Sequence, residues 1–360
     1  MSNTVHFTPG PSELYPNIDQ YLQEGFDRDL YSVSHRSGAY KEIHKAAVEG
    51  LKQLISLPDN YNIFFLGSAT EAWERIIQNV VVNKSFHFVN GSFSKKFYQY
   101  AQQSGIEATA KEVAPSEGFD SISREAIDSD TELICFTHNE TSTGVSTSFE
   151  DIYATKERFP DSLIAVDVVS SLPYPEIDFS KIDSAFFSVQ KCFGLPAGLG
   201  VWLVNDRFIE KAKQKKEAGQ LLHPHHNVFQ LKKQADAYQT PSTPNVLNIF
   251  LLSKVIEAMN NKTSEVIRQE TDTKAKMLYD FVANHEDFDF AVANPDHRSQ
   301  TVVVAKSKKS AAELNEILAP HNLAIGSGYG EFKTSQIRIA NFPAHSIEDT
   351  QRLIEILSKS

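Results

Sequence analysis

A chain of 360 residues is long enough for two domains and for a core that needs neither disulfide nor metal to hold it. Apolar residues make up 41% and charged residues 22%, which excludes a wholly disordered chain. Lysine and arginine number 35 against 46 acids, and the resulting net charge of −11 argues against a partner made of nucleic acid or anionic membrane.

The first residues, Met1 to His6, carry neither a basic stretch nor an apolar one, so no secretory signal is expected. No apolar run approaches the roughly 18 residues of a membrane span, and a soluble, cytoplasmic protein is expected. Phe7-Thr8-Pro9-Gly10-Pro11 reads as an irregular arm, not a first strand, within an N-terminal arm over 1–15. Residues 40–57 place Ile43, Ala47, Leu51, Leu54 and Ile55 at helical spacing until Pro58 breaks the pattern. Then follow a strand at 63–66, a helix at 71–82, a strand at 86–89, a helix at 95–103 and a strand at 131–137. A helix at 149–158 leads to strands at 163–166, 184–189 and 200–204. This alternation predicts βαβ units, hence an α/β fold with a mostly parallel sheet covered on both faces, over 16–255. Two long helices are predicted at 246–258 and 264–283. Strands near 288–292, 300–304 and 337–340, with helices at 311–318 and 347–357, make a smaller α+β domain over 256–360. Cys135 and Cys192 have no paired spacing and read as reduced thiols.

Parallel α/β sheets bind ligands beyond the carboxyl ends of their strands, so those junctions carry the candidates. After the strand ending at Leu66 comes Gly67-Ser68-Ala69-Thr70, a small-residue turn that opens a helix. Such a turn offers free N–H groups to an anion, and by itself is as well explained by an ordinary N-cap. Asp167 ends a second apolar strand, where a carboxylate needs a hydrogen-bonding or cationic partner. Gln190-Lys191 ends a third and enters the Gly/Pro-rich loop Cys192-Phe193-Gly194-Leu195-Pro196. Partial burial there lowers an amine's pKa and makes Lys191 a nucleophile towards an aldehyde. An aspartate and a lysine on neighbouring strand ends suit pyridoxal 5'-phosphate: the lysine binds the aldehyde, and the carboxylate keeps the pyridine nitrogen protonated.

Several motifs then stand in one order: Phe7-Thr8-Pro9-Gly10-Pro11, Ser34-His35-Arg36-Ser37, Gly67-Ser68-Ala69-Thr70, His138-Asn139-Glu140-Thr141-Ser142-Thr143-Gly144, Asp167-Val168-Val169-Ser170-Ser171 and Gln190-Lys191. Thr240-Pro241-Ser242-Thr243-Pro244 and Ile337-Arg338-Ile339 continue it. In this order the chain resembles the class V aminotransferases, over nearly its whole length. The resemblance implies a fold-type I pyridoxal-phosphate transferase, a homodimer with composite active sites. Within the class the chain is most similar to the phosphoserine aminotransferases of serine biosynthesis, in length and in Tyr238-Gln239-Thr240-Pro241-Ser242-Thr243.

The resemblance makes Lys191 the cofactor-bound lysine and proton carrier, with Asp167 the partner of the pyridine nitrogen. Phe93 stands where phosphoserine aminotransferases stack a tryptophan on the ring, and Thr141 matches a threonine that hydrogen-bonds near O3′. Ser68, Ala69, Thr70 and Gln190 match the phosphate cup, completed by Gln239 and Thr240 from a partner subunit. Arg338 matches the arginine that clamps the substrate α-carboxylate, which a guanidinium does bidentately. His35 and Arg36 match an arm that reaches across the dimer to the substrate's distal anion. There are also departures. The related enzymes typically carry a basic pair in the late loop and an arginine in the glycine turn. This chain has Gly326-Ser327-Gly328-Tyr329-Gly330-Glu331-Phe332-Lys333 and Thr70. Fewer fixed cations leave open an alanine–glyoxylate or serine–pyruvate type of transaminase.

Other readings fare worse. His223-Pro224-His225-His226 has no acid or cysteine at ligand spacing, so no metal is expected and a loop near the site mouth is preferred. The Gly326-x-Gly-x-Gly run lacks the helix and downstream acid of a dinucleotide site. A cysteine desulfurase needs a thiol on a mobile late loop, which neither Cys135 nor Cys192 provides. The basic run at 211–216 reads as a solvated helix face.

Overall fold

The computed structural model describes residues 4–119, 127–220, 222–225 and 227–359. The strands are β1 (Val5–Phe7), β2 (Tyr61–Leu66), β3 (Lys84–Val89), β4 (Glu107–Glu112), β5 (Leu133–Thr137), β6 (Asn139–Glu140), β7 (Val145–Ser146), β8 (Leu163–Asp167), β9 (Ser184–Ser188), β10 (Gly200–Asn205), β11 (Phe288–Phe290), β12 (Val302–Ser307), β13 (Leu323–Ser327) and β14 (Gln336–Ala340). The helices are α1 (Ile18–Asp27), α2 (Gly38–Leu54), α3 (Ala69–Val80), α4 (Ser92–Gln103), α5 (Phe149–Arg158), α6 (Asp206–Glu217), α7 (Val228–Ala235), α8 (Val246–Lys262), α9 (Ser264–Asn284), α10 (Ala311–Leu318) and α11 (Ile347–Leu357).

The main sheet has the order β2-β10-β9-β8-β5-β3-β4. Pairs from β9 to β4 are parallel, and β10 runs antiparallel to both of its neighbours. Period-2 alternation sends successive side chains to opposite faces, and here both faces are apolar. Ile63, Ile134, Ile164, Phe187 and Val201 join one core, shared with α2 and α8. Phe64, Leu133, Ala165, Phe186 and Trp202 join the other, under α3, α4 and α6. A continuous apolar run therefore forms each central strand. The sequence expectation of a mostly parallel, doubly covered sheet stands.

A second sheet has the order β1-β13-β14-β12-β11, with α9, α10 and α11 supplying side chains to its core. Its edge corrects the reading of the N-terminus. Val5, His6 and Phe7 pair in parallel with Leu323, Ala324 and Ile325, so the arm begins as a strand. Three residues are too few for a visible alternation, and the partner lies at the other end of the chain. Phe7 is fully buried and stacks on His345, whose ring nitrogen contacts the His6 carbonyl at 3.0 Å. The arm then leaves this sheet and crosses to the main one. Ser12 N donates to Gln190 O, and Tyr15 N to Gly194 O. It thereby ties the small sheet to the loop that follows β9. Among the described residues no helix is long and apolar enough to cross a membrane.

Candidate active site

The carboxyl ends of β5, β8 and β9 lie side by side and open onto a cavity of about 230 Å³. Ala69, Thr70, Phe93, Thr141, Asp167, Gln190 and Lys191 all line it, as the motif order led us to expect. Ser68 does not. Its hydroxyl accepts from Glu71 N at 3.2 Å, so it is the N-cap of α3. That cap starts the helix where Thr70 faces the cavity, presenting the positive end of the helix dipole to any anion there. Ala69 N is itself held by Ser188 Oγ at 2.8 Å.

Lys191 stands three residues past the end of β9, in a loop closed by Gly194 N donating to Lys191 O and Leu195 N to Val189 O. Its Nζ donates to the Pro9 carbonyl at 2.5 Å. Burial, with a smaller contribution from the Arg338 charge, lowers the amine to about 8. Such an amine is far more often neutral near physiological pH than an ordinary lysine. Asp167 is buried at the end of β8, across from Thr137. Its Oδ1 accepts from Val169 N at 2.9 Å. Burial pushes the carboxyl up to about 7, against the Val169 N–H that holds it down. The Trp73 indole lies close enough to lower it too, without a well-aligned hydrogen bond.

Phe93 sits on the opposite wall, its ring centroid 6.0 Å from Lys191 Nζ. Its place is fixed by Glu140, a fully buried carboxylate. One oxygen of Glu140 accepts from Phe93 N at 3.0 Å and Ser94 N at 2.9 Å. The other accepts from Ser142 N at 3.1 Å and Ser142 Oγ at 2.7 Å. One side chain thus locks the first turn of α4 to the turn that carries Thr141. Arg338, in the middle of β14, donates from Nε to Ser327 O at 2.6 Å and from Nη1 to Thr141 O at 3.3 Å. It pairs with no carboxylate among the described residues.

The remaining expected residues gather elsewhere. Arg36 Nη1 donates to Gln239 Oε1 at 2.5 Å and to Gln234 Oε1 at 2.8 Å of the same chain. His35 packs edge-on against Tyr40 at 6.4 Å, and Thr240 is buried with its hydroxyl on Ser242 O. His35, Arg36, Gln239 and Thr240 therefore form a second cluster, at the start of α2, and none of them lines the cavity. Of the histidine run, His226 lies outside the described residues. Sequence reasoning missed Gly10, Trp73, Asn139 and Ser170 on the cavity wall, and Glu140 behind it. Trp73 reads as a core residue of an amphipathic helix. Glu140 was legible only as part of a motif.

The lining suits pyridoxal 5'-phosphate on chemical grounds. Thr137 Oγ1 and Gln190 Oε1 are buried polar atoms without a protein partner, and both residues border the cavity. A helix N-terminus answers a phosphate, a buried carboxylate a pyridinium nitrogen, a lowered amine an aldehyde, and Phe93 an aromatic face.

The sequence matches the family described as Aminotransferase class-V over residues 8–340. It is 28% identical over 351 residues to a phosphoserine aminotransferase of Rhodococcus opacus (strain B4), covering 96% of this chain and 92% of that protein. The fold superposes on a crystal structure of a phosphoserine aminotransferase from Cytophaga hutchinsonii with a TM-score of 0.98 and 48% identity, covering 100% of this chain and 99% of that one. An aspartate aminotransferase of subgroup IV from Thermus thermophilus shares the fold, with a TM-score of 0.82 and 21% identity over 98% of this chain and 97% of that one. Since the match runs through every segment that builds the cavity, the chain belongs to the class V aminotransferases, pyridoxal-phosphate-dependent transaminases of fold type I.

Proposed function

We propose that the protein transfers the amino group of L-glutamate to 3-phosphohydroxypyruvate, giving 2-oxoglutarate and O-phospho-L-serine, as serine biosynthesis requires. The observation that carries this reading is the end-to-end similarity, at 48% identity, to the phosphoserine aminotransferase of Cytophaga hutchinsonii. Bound pyridoxal phosphate supplies the electron sink for the charge left on Cα when its proton departs. In this reading the chain's own residues do the rest. Asp167, with one oxygen accepting from Val169 N, would partner the pyridine nitrogen and favour its protonated form. Arg338 binds the substrate α-carboxylate and so fixes the direction of the Cα–H bond. Lys191 Nζ would carry the proton from the substrate Cα to the cofactor's C4′. Phe93, braced through its backbone by Glu140, would offer the cofactor ring an aromatic face.

The cluster at α2 supports a dimer. His35 and Arg36 are the cations expected for a distal anion, yet they meet Gln239 away from their own chain's cavity. In a cytoplasmic homodimer, Gln239 and Thr240 of the partner subunit complete the phosphate cup. Arg36 of the partner subunit then faces the substrate. One observation favours a second reading, a transaminase of small amino acids with glyoxylate or pyruvate: the late loop from Gly326 to Lys333 holds the single cation Lys333. Steady-state transfer from L-glutamate separates the two. A kcat/KM at least tenfold higher with 3-phosphohydroxypyruvate than with glyoxylate or pyruvate is expected. Equal or higher values with either small acceptor overturn the first reading.

A further inference from the structure

Two rings and two cations meet at the edge of the cofactor cavity. Phe93 and Tyr329 lie 5.4 Å apart, tilted by 49°. The Arg338 guanidinium carbon is 5.4 Å from the Tyr329 centroid. Lys96 Nζ is 5.7 Å from that same centroid and 5.3 Å from the centroid of Phe93. It also donates to Tyr329 Oη at 3.1 Å. Lys96 stands three residues after Phe93 on α4, so the helix directs both side chains to one side.

Neither cation of this arrangement is held in an ion pair among the described residues. Lys95, the neighbour of Lys96, is paired with Glu112 at 3.2 Å. Lys96 and Arg338 pair with no carboxylate among the described residues, although they share one aromatic ring. Arg338 spends its bonds on the carbonyls of Ser327 and Thr141. The buried Glu140 carboxylate acts on Arg338 only at a distance, and like charges brought together without an ion-paired acid raise the local potential and select for a ligand with more than one negative group. Arg338 accounts for one such group, the α-carboxylate. The ammonium across the ring is left for another, and an ammonium binds a phosphate as a point charge without needing bidentate geometry.

We propose that Lys96, oriented by Tyr329, binds the distal phosphate of the substrate and is a specificity residue of this enzyme. It supplies from α4 a cation in addition to the single Lys333 of the late loop. The assignment rests on the functional reading above. It predicts that Lys96 discriminates between substrates that differ only in the phosphate. The test is steady-state kinetics of the holoenzyme with O-phospho-L-serine and with L-serine as amino donors, for wild type, Lys96→Met and Lys96→Arg. Lys96→Met is expected to raise the KM for O-phospho-L-serine ten- to a hundredfold, with kcat within threefold. With L-serine, kcat/KM should fall less than threefold. Lys96→Arg should recover the KM for O-phospho-L-serine to within fivefold of wild type. Equal losses on both donors, or an unimpaired Lys96→Met variant of an enzyme that uses O-phospho-L-serine, overturn this assignment alone. A wild-type enzyme unable to use O-phospho-L-serine overturns the functional reading and the assignment with it.

Discussion

Gly10 touches the reacting lysine, and replacing it with alanine should damage catalysis far more than stability. Its φ is +136°, and a Cβ built there would lie 2.1 Å from Lys191 Nζ, 2.4 Å from Cε and 2.5 Å from Cδ. Holding an alanine at such a φ costs about 1–3 kcal/mol. The overlap itself is relieved by moving the lysine tail, since carbon contacts settle at about 3.5–4.0 Å. That relief displaces Nζ by about 1 Å or more and breaks its bond to the Pro9 carbonyl. A misplacement of about 1 Å in reacting groups costs about a hundredfold in rate. Gly105 provides the control, with φ +78° and nothing within 4 Å of an added Cβ. Both Gly10→Ala and Gly105→Ala should lose a few degrees of thermal midpoint. Single-turnover transamination should fall about a hundredfold or more in Gly10→Ala and stay within twofold in Gly105→Ala. A Gly10→Ala enzyme within tenfold of wild type, or an equal loss in Gly105→Ala, refutes the reasoning.

Further outcomes follow from the same geometry. Glu140→Gln puts an amide N–H against donors that now meet a carboxylate, at a cost of about 1–3 kcal/mol for each bond lost. It should lower the thermal midpoint and weaken cofactor binding at least tenfold by fluorescence titration of the apo protein; unchanged affinity would remove Glu140 from the site's framework. Mixing inactive Lys191→Ala with Arg36→Ala subunits tests the composite site. If Arg36 serves the partner's cavity, random hybrids regain about a quarter of wild-type activity with O-phospho-L-serine, whereas no recovery contradicts the dimer reading. Stability should fall as the pH drops from 7 to 5. Burial holds His44, His138 and His345 at about 4 and His87 at about 3, so in that range the unfolded chain binds protons that the folded chain refuses. Asp167 and Asp183, raised to about 7 and about 6, act in the opposite sense but are two against four. A urea midpoint that rises on acidification would contradict this balance.

The main sheet was legible because its central strands are apolar on both faces, as at Leu163-Ile164-Ala165-Val166, and their ends carry Asp167 and Lys191. Where that signal is missing, so was the prediction. β4, Glu-Ala-Thr-Ala-Lys-Glu, is a half-exposed edge strand with no apolar run. β13 was hidden by the glycines that follow it, and β1 by its shortness. The helix at 149–158 was read to the residue because Ser148 caps it and its acids and bases flank the dipole. In the site, residues next to strand ends could be found from local pattern and motif order. Glu140, Trp73, Tyr329 and Lys96 could not, because their roles depend on partners brought together by the fold. Lys96 meets Tyr329 across 233 positions of sequence. In isolation it is an ordinary helix-surface lysine.

The central claim is a transaminase that recognises a phosphorylated amino acid, and the half-reaction tests it without any coupling enzyme. Holoenzyme is mixed with O-phospho-L-serine or with L-alanine at equal concentration, and the cofactor's absorbance is followed to the pyridoxamine form. Conversion at least tenfold faster with O-phospho-L-serine is expected. Conversion as fast or faster with L-alanine would contradict it and place the enzyme with the small-amino-acid transaminases.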